Sequence, residues 1–222
     1  MSTLDGPRAA ARSGRTRSLV ILLHGYGADG NDLFGLAAPL SEHHPDTAFR
    51  APNAPERSRV NPMGYQWFPI PWLDGSTEAE RDASFHRSVG LLDGYLTESM
   101  EEEGVAAART ALVGFSQGTM MSLYVAPRRD EQLAGVVGFS GRLVVNDDLA
   151  TAAKVRPPVL LVHGDEDQMI PVAELSAAET ALRAAGFDVR SHISRGVAHG
   201  IAPDGLTLAL RFLQQHLGTG GG

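Results

Sequence analysis

The chain has 222 residues, 43% of them hydrophobic, with 25 glycines, 13 prolines and no cysteine. A chain of this length buries roughly 70% of its unfolded surface in a single core, and the composition excludes collagen-like, coiled-coil and wholly disordered structures. Its 26 acidic and 19 basic residues give a net charge of −7, which argues against a nucleic-acid partner, and the lack of cysteine removes disulfides, thiolate metal sites and any Cys nucleophile.

Residues 1–18 carry Arg8, Arg12, Arg15 and Arg17 and read as an N-terminal arm or loop, with an organellar transit peptide as the alternative. Leu19 to Leu23 is wholly apolar but stops at His24, too short for a signal-peptide core. No apolar stretch approaches the roughly 18 residues that span a bilayer, so no stable membrane insertion is expected. With the missing cysteines, this fits a reducing compartment and a cytoplasmic location.

Leu19–Leu23 suits a central strand covered on both faces and runs into the glycine-rich turn His24–Gly30. Helical spacing follows from Asn31 to Leu40, with Asp29 or Asn31 as cap. Phe49 to Pro55 reads as a brief strand ended by prolines. Glu56 to Asp74 is irregular and dense in aromatics. A long helix is predicted from Thr77 to about Glu103, its acidic first turn suiting the helix dipole. Strands are predicted at Arg109–Phe115, Leu133–Phe139, Pro158–His163 and Asp188–Ile193. Helices are predicted at Ser116–Val125, Val172–Ala185 and Pro203–Leu217, with a short one between Asn146 and Arg156 and Gly186 as a C-terminal cap. This alternation implies a mostly parallel sheet with helices on both faces: one domain over 19–217, no repeat, and a mobile tail at 218–222.

The strongest chemical signal is Gly114–Phe115–Ser116–Gln117–Gly118. A strand ends at the serine and a helix begins beyond it, the setting in which a strained turn pushes the hydroxyl outward. A serine needs a base and an orienting acid. Such sheets supply them later in the chain, in the order Ser, Asp, His. His199, in a loop between the last strand and the last helix, is the candidate base. The candidate acids are Asp165, Glu166 and Asp167, the first of which also suits a turn hydrogen bond. Donors for a developing oxyanion would be the Gln117 amide and an amide of the Leu23–Gly27 loop, with Leu23 preferred among its neighbours.

Of the other histidines, His24 and His163 sit in His-Gly turns and read as structural, as does His192 on a strand. His43 and His44 lack the H-E-x-x-H pattern of a metal helix, and His86 and His216 lack ligand partners at suggestive spacing. No metal is expected. Neither nucleotide-binding glycine pattern is present, so no cofactor is expected either. Asn61 to Leu73 is the natural pocket wall, with Tyr65, Trp67 and Phe68 nearest the site; the alternative is that these rings fill the core under a long loop.

Four segments together, Leu22–Leu33, Gly114–Gly118, His163–Asp167 with Ile170–Pro171, and Ala198–Gly200, resemble the phospholipase/carboxylesterase family of α/β-hydrolases, the small esterases related to acyl-protein thioesterases. The resemblance spans about Leu19 to Leu217. It implies a single-domain α/β-hydrolase without a large cap domain, with Ser116 as nucleophile, Asp167 as acid, His199 as base and Leu23 and Gln117 as oxyanion residues. It implies hydrolysis of small-molecule carboxylic esters with short to medium acyl chains, and it brings a homodimer into consideration. A thioesterase or lysophospholipase would use the same triad; a non-catalytic binding scaffold is the reading from another class, opposed by the complete triad order. Two positions depart from the commonest family pattern: Thr119, where glycine is frequent, and Phe68–Pro69–Ile70–Pro71, where Asp often follows the aromatic pair.

Overall fold

The computed structural model describes residues 4–144 and 149–218. In chain order its elements are β1 (Arg8–Ala9), β2 (Ser18–Leu23), α1 (Gly30–Phe34), α2 (Ala37–His43), β3 (Thr47–Arg50), β4 (Glu56–Arg57), β5 (Tyr65–Gln66), α3 (Pro71–Asp74), α4 (Glu78–Glu103), β6 (Thr110–Phe115), α5 (Gln117–Val125), β7 (Gly135–Phe139), α6 (Leu149–Ala152), β8 (Val159–Gly164), α7 (Ala173–Ala184), β9 (Val189–Ser194) and α8 (Pro203–Leu217).

Seven strands form one sheet in the order β1-β3-β2-β6-β7-β8-β9. All neighbours are parallel except β1, which pairs antiparallel with β3 through Arg8↔Arg50 and Ala9↔Phe49. Part of the N-terminal segment therefore extends the sheet edge, and Leu4 and Ala11 are buried beside it.

Side chains alternate across a strand, and here each face meets its own helices. Leu19, Ile21, Leu112, Val136 and Leu161 pack with α4, α5 and α7 through Leu92, Leu96, Met121, Leu123 and Leu182. Val20, Leu22, Val113, Val137 and Val162 pack with α1, α2 and α8 through Leu33, Leu40, Phe212 and Leu213. The result is a single α/β-hydrolase layer structure, with no cap domain among the described residues.

Local chemistry explains most element ends. The Asp29 carboxylate caps α1 by accepting the Asn31 and Asp32 N–H groups. Thr77 and Glu80 form a reciprocal capping box at α4. Gly186 takes a φ of 86° after α7 and its N–H reaches the Arg183 carbonyl, which closes the helix. The single helix expected over Asn31–Leu40 is two: the Leu36 N–H bonds to the Leu33 carbonyl, a tight turn that separates α1 from α2. The irregular stretch Glu56–Asp74 holds the β4–β5 hairpin and the one-turn α3. The helix expected between Asn146 and Arg156 is α6, while Asn146 to Asp148 and the tail from Thr219 onward lie outside the described residues.

The sheet order also locates the site. From β2 the chain moves to β3 on one side and returns to β6 on the other. The loops leaving β2 and β6 diverge there, and such a switch point opens a crevice at the carboxyl ends of the strands.

Candidate active site

The turn after β6 places Ser116 at that crevice. Its backbone is at φ 54°, ψ −116°, a strained conformation for a residue with a side chain. The Ser116 N–H is tied to the Phe139 carbonyl at 2.9 Å, which fixes the turn to β7. The flanking glycines are steric requirements. A Cβ on Gly118 would lie 1.8 Å from the Leu23 carbonyl oxygen, and one on Gly114 would lie 2.5 Å from Gly118 backbone. Thr119, the departure from the family pattern, fills space instead of leaving it. Its methyl sits where a Cβ on Gly138 or Gly141 would fall, 2.5 Å away in each case, and its hydroxyl has the Gly114 and Phe139 carbonyls as acceptors at 2.8 Å.

Asp167 follows β8 and is buried. Its Oδ1 accepts the Met169 and Ile170 N–H groups at 2.9 Å each, which orients the carboxylate, and its Oδ2 lies 2.7 Å from His199 Nδ1. Burial by itself raises its pKa. The hydrogen bonds from the Ile170 amide, His199 and the Met169 amide outweigh it and hold the carboxyl below its ordinary value. With Nδ1–H donated to Asp167, His199 keeps Nε2 as its free nitrogen. The imidazole also rests on the Phe115 ring, centroids 4.8 Å apart.

The two rival acids point elsewhere. Asp165 accepts the Gly196 N–H at 2.7 Å and pairs with Arg195 at 3.2 Å, so it ties down the loop that leads from β9 to His199. Glu166 is exposed. His163 is buried and donates Nε2–H to the Ile170 carbonyl at 2.8 Å.

Ser116 and His199 line the same cavity, of about 400 Å³. Among the described residues no hydrogen bond joins their side chains. The loop after β2 reaches this cavity through Gly25 and Tyr26. Leu23, the expected oxyanion residue of this loop, is the fully buried last residue of β2 and is not part of the cavity lining. Among the described residues the N–H groups of Tyr26 and Gln117 make no hydrogen bond.

The wall also differs from expectation. Phe68 lines the cavity, followed by Pro69, Ile70, Pro71, Trp72 and Leu73. Trp67 lies behind it at 0% exposure, donating Nε1–H to the His24 carbonyl at 3.0 Å. Tyr65 is half-buried outside the cavity with the Arg57 guanidinium 4.2 Å over its ring. The bonds of Trp67 to His24 and Gln117 hold it inward and leave Phe68 for the site. Trp72, Leu73 and Met169 expose apolar surface at the cavity. Trp72 falls within the expected wall Asn61–Leu73 and Tyr26 within the expected Leu23–Gly27 loop, while Met169 and Arg142 of the lining were missed by sequence reading.

His24 braces the wall from behind. Its Nε2 accepts the Ala54 N–H at 2.9 Å, so Nδ1 carries the proton donated to the Gly25 carbonyl at 2.7 Å. Burial pushes its pKa below the ordinary 6.5, because protonation would charge a buried ring and destroy the Ala54 bond. A histidine held neutral in the folded state contributes stability in full above the unfolded value of 6.5, and that contribution is lost as pH falls from there through the depressed folded value. His44 and His216 act in the same direction. The expected result is that His24→Gln unfolds with a shallower loss of stability between about pH 7 and about pH 5 than the parent chain. Denaturant midpoints across that range check it, and identical slopes would refute a neutral buried His24.

Among the described residues, no group of three His, Asp or Glu side chains is placed to hold a metal ion, and no helix is long and apolar enough to cross a membrane. His192 pairs with Asp204 at 2.7 Å, joining β9 to α8.

Known proteins resemble this chain over most of its length. The sequence profile of the family described as Phospholipase/Carboxylesterase matches residues 4–217. Esterase YpfH of Escherichia coli (strain K12) is 30% identical over 89% of this chain and 82% of its own length. Acyl-protein thioesterase 1 of Gibberella zeae is 28% identical over 89% of this chain and 90% of its own. The crystal structure of esterase PE8 superposes with a TM-score of 0.91 at 44% identity, covering 96% of this chain and 99% of the other.

Proposed function

The chain belongs to the phospholipase/carboxylesterase family of α/β-hydrolases and is a carboxylic ester hydrolase, and on that premise we propose that it cleaves esters with short to medium acyl chains through Ser116, His199 and Asp167. The observation that carries the proposal is the Asp167–His199 hydrogen bond of 2.7 Å beside a strained Ser116 in one cavity.

In the first stage Ser116 Oγ bonds to the ester carbonyl carbon while its proton passes to His199 Nε2. The carbonyl electrons move onto oxygen, and the N–H groups of Gln117 and Tyr26 donate hydrogen bonds to the resulting oxyanion. Each such donor contributes roughly 3–4 kcal/mol to transition-state stability. Collapse breaks the bond to the alcohol oxygen, which takes the proton from His199. In the second stage water gives a proton to His199, attacks the acyl-serine, and the acid leaves as Oγ is reprotonated. Asp167, buried and ionised, keeps the imidazole in its Nδ1–H tautomer and stabilises its charged form.

A cavity of about 400 Å³, walled by Phe68 and residues 69–73, suits a small ester with an apolar acyl group. The experiment is turnover of p-nitrophenyl esters from acetate to palmitate. The expected optimum lies between acetate and octanoate. An optimum at palmitate would replace this reading with a long-chain one. The exposed apolar surface of Trp72, Leu73 and Met169 at the cavity favours a second reading, an acyl-thioesterase. Matched oxygen and sulfur esters decide between them: a higher kcat/KM on the sulfur ester establishes the second.

A further inference from the structure

The two residues proposed to supply the oxyanion amides also hold the pocket wall with their side chains. Gln117 Oε1 accepts the Trp67 N–H at 3.1 Å, and its Nε2 donates to the Phe68 carbonyl at 2.8 Å. Tyr26 reaches across to α3, where its hydroxyl donates to Asp74 Oδ2 at 2.9 Å. Asp74 is the last residue of that one-turn helix. The same Oδ2 accepts the Ile70 N–H at 2.8 Å, and its Oδ1 accepts the Ser76 N–H at 3.0 Å. One carboxylate thus gathers both ends of the segment that carries Pro71, Trp72 and Leu73 into the cavity lining. A helix of four residues has too few internal bonds to hold its place alone.

Resting on the esterase reading above, we infer that Tyr26 is a positioning residue: its hydroxyl, through Asp74, fixes the α3 wall to the loop that supplies an oxyanion amide, so that the fit of the acyl chain is set together with the oxyanion geometry. The phenol suits this work. Burial first, with the Asp74 carboxylate adding and Ser58 opposing, pushes its pKa up to about 12, so it remains a donor throughout any practical assay. Asp74 remains an acceptor. Burial raises its pKa, but the hydrogen bonds from Ser76, the Ile70 amide and Tyr26 overcome this and hold it below the ordinary carboxylate value.

Such a link predicts a particular kinetic signature. An acyl chain long enough to press on Trp72 and Leu73 gains from a wall held in place, and acetate gains much less. Tyr26→Phe keeps the ring and the backbone amide and removes one bond. The expected result is a fall of about threefold to tenfold in the ratio of kcat/KM on the octanoate ester to that on the acetate ester, with part of the fall in kcat. Asp74→Ala should lower the ratio likewise, and adding Tyr26→Phe to it should change the ratio no further. A wild-type chain without Ser116-dependent turnover would overturn the esterase reading and this inference with it. Wild-type turnover combined with an unchanged ratio in folded Tyr26→Phe, with an equal loss on every ester, or with additive effects in the double variant, would overturn this inference alone.

Discussion

Ser116→Ala leaves a folded protein whose ester turnover falls by about a millionfold, the loss typical when a serine nucleophile is removed from a triad. The residue kept is small, and the bonds that hold the turn come from backbone: the Ser116 N–H to the Phe139 carbonyl, and the Ser116 carbonyl to the Met120 N–H. The hydroxyl makes no protein hydrogen bond among the described residues, so its removal orphans no partner. Alanine also inherits a φ of 54°, as strained for it as for serine, so the variant should melt within a few degrees of the parent. The measurement is turnover of the acetate and octanoate esters beside circular dichroism of the same sample. Residual turnover above about one part in a thousand in folded protein would show that the chemistry lies elsewhere.

Asp167→Asn should lower kcat by about ten-thousandfold, as amide-for-acid replacement does at the orienting position of a triad. Asparagine retains an oxygen able to accept the Met169 and Ile170 N–H groups, and then its NH₂ faces His199 Nδ1. Two donors cannot meet without one giving way, so the imidazole turns to its other tautomer and Nε2 can no longer take the serine proton. Asp165→Asn is the control two residues away. Asp165 holds the loop through the Gly196 N–H and Arg195, and asparagine can still accept from Gly196, so turnover should fall by less than about tenfold. Equal losses in the two variants would overturn the assignment of the acid.

The sheet strands and the serine turn could be read from sequence because their causes are local. Buried parallel strands such as Leu19–Leu23 and Val159–Val162 are continuous apolar runs, and a turn as tight as that at Ser116 requires glycine at 114 and 118. The choice between Asp165 and Asp167 came from the family resemblance. The residues alone could not supply it, because the turn that aims Asp167 at His199 is made by the amides of Met169 and Ile170. Leu23 was preferred on the family resemblance, because composition carries no record of which way successive amides point in a glycine-rich loop. Tyr65, Trp67 and Phe68 are all large aromatic residues in one short run. Only the bonds from Trp67 to His24 and Gln117 decide that it packs inward. The edge strand at Arg8–Ala9 exists through pairing with Arg50 and Phe49, some forty residues away, a contact that a two-residue stretch cannot announce.

The order of strands has a bearing on how the protein comes into being. The pairing beside the crevice joins Leu19 to Thr110, so the chain must close a loop of ninety residues before β2 has its second neighbour. Contacts that distant form slowly, and the groups of the site leave the ends of β2, β6, β8 and β9. Until α8 emerges during synthesis, Phe212 and Leu213 are missing from one face of the sheet, and the outermost strand that leads to His199 lacks its cover. Catalytic competence is therefore a late event in the life of each molecule, following the docking of α8 onto the sheet.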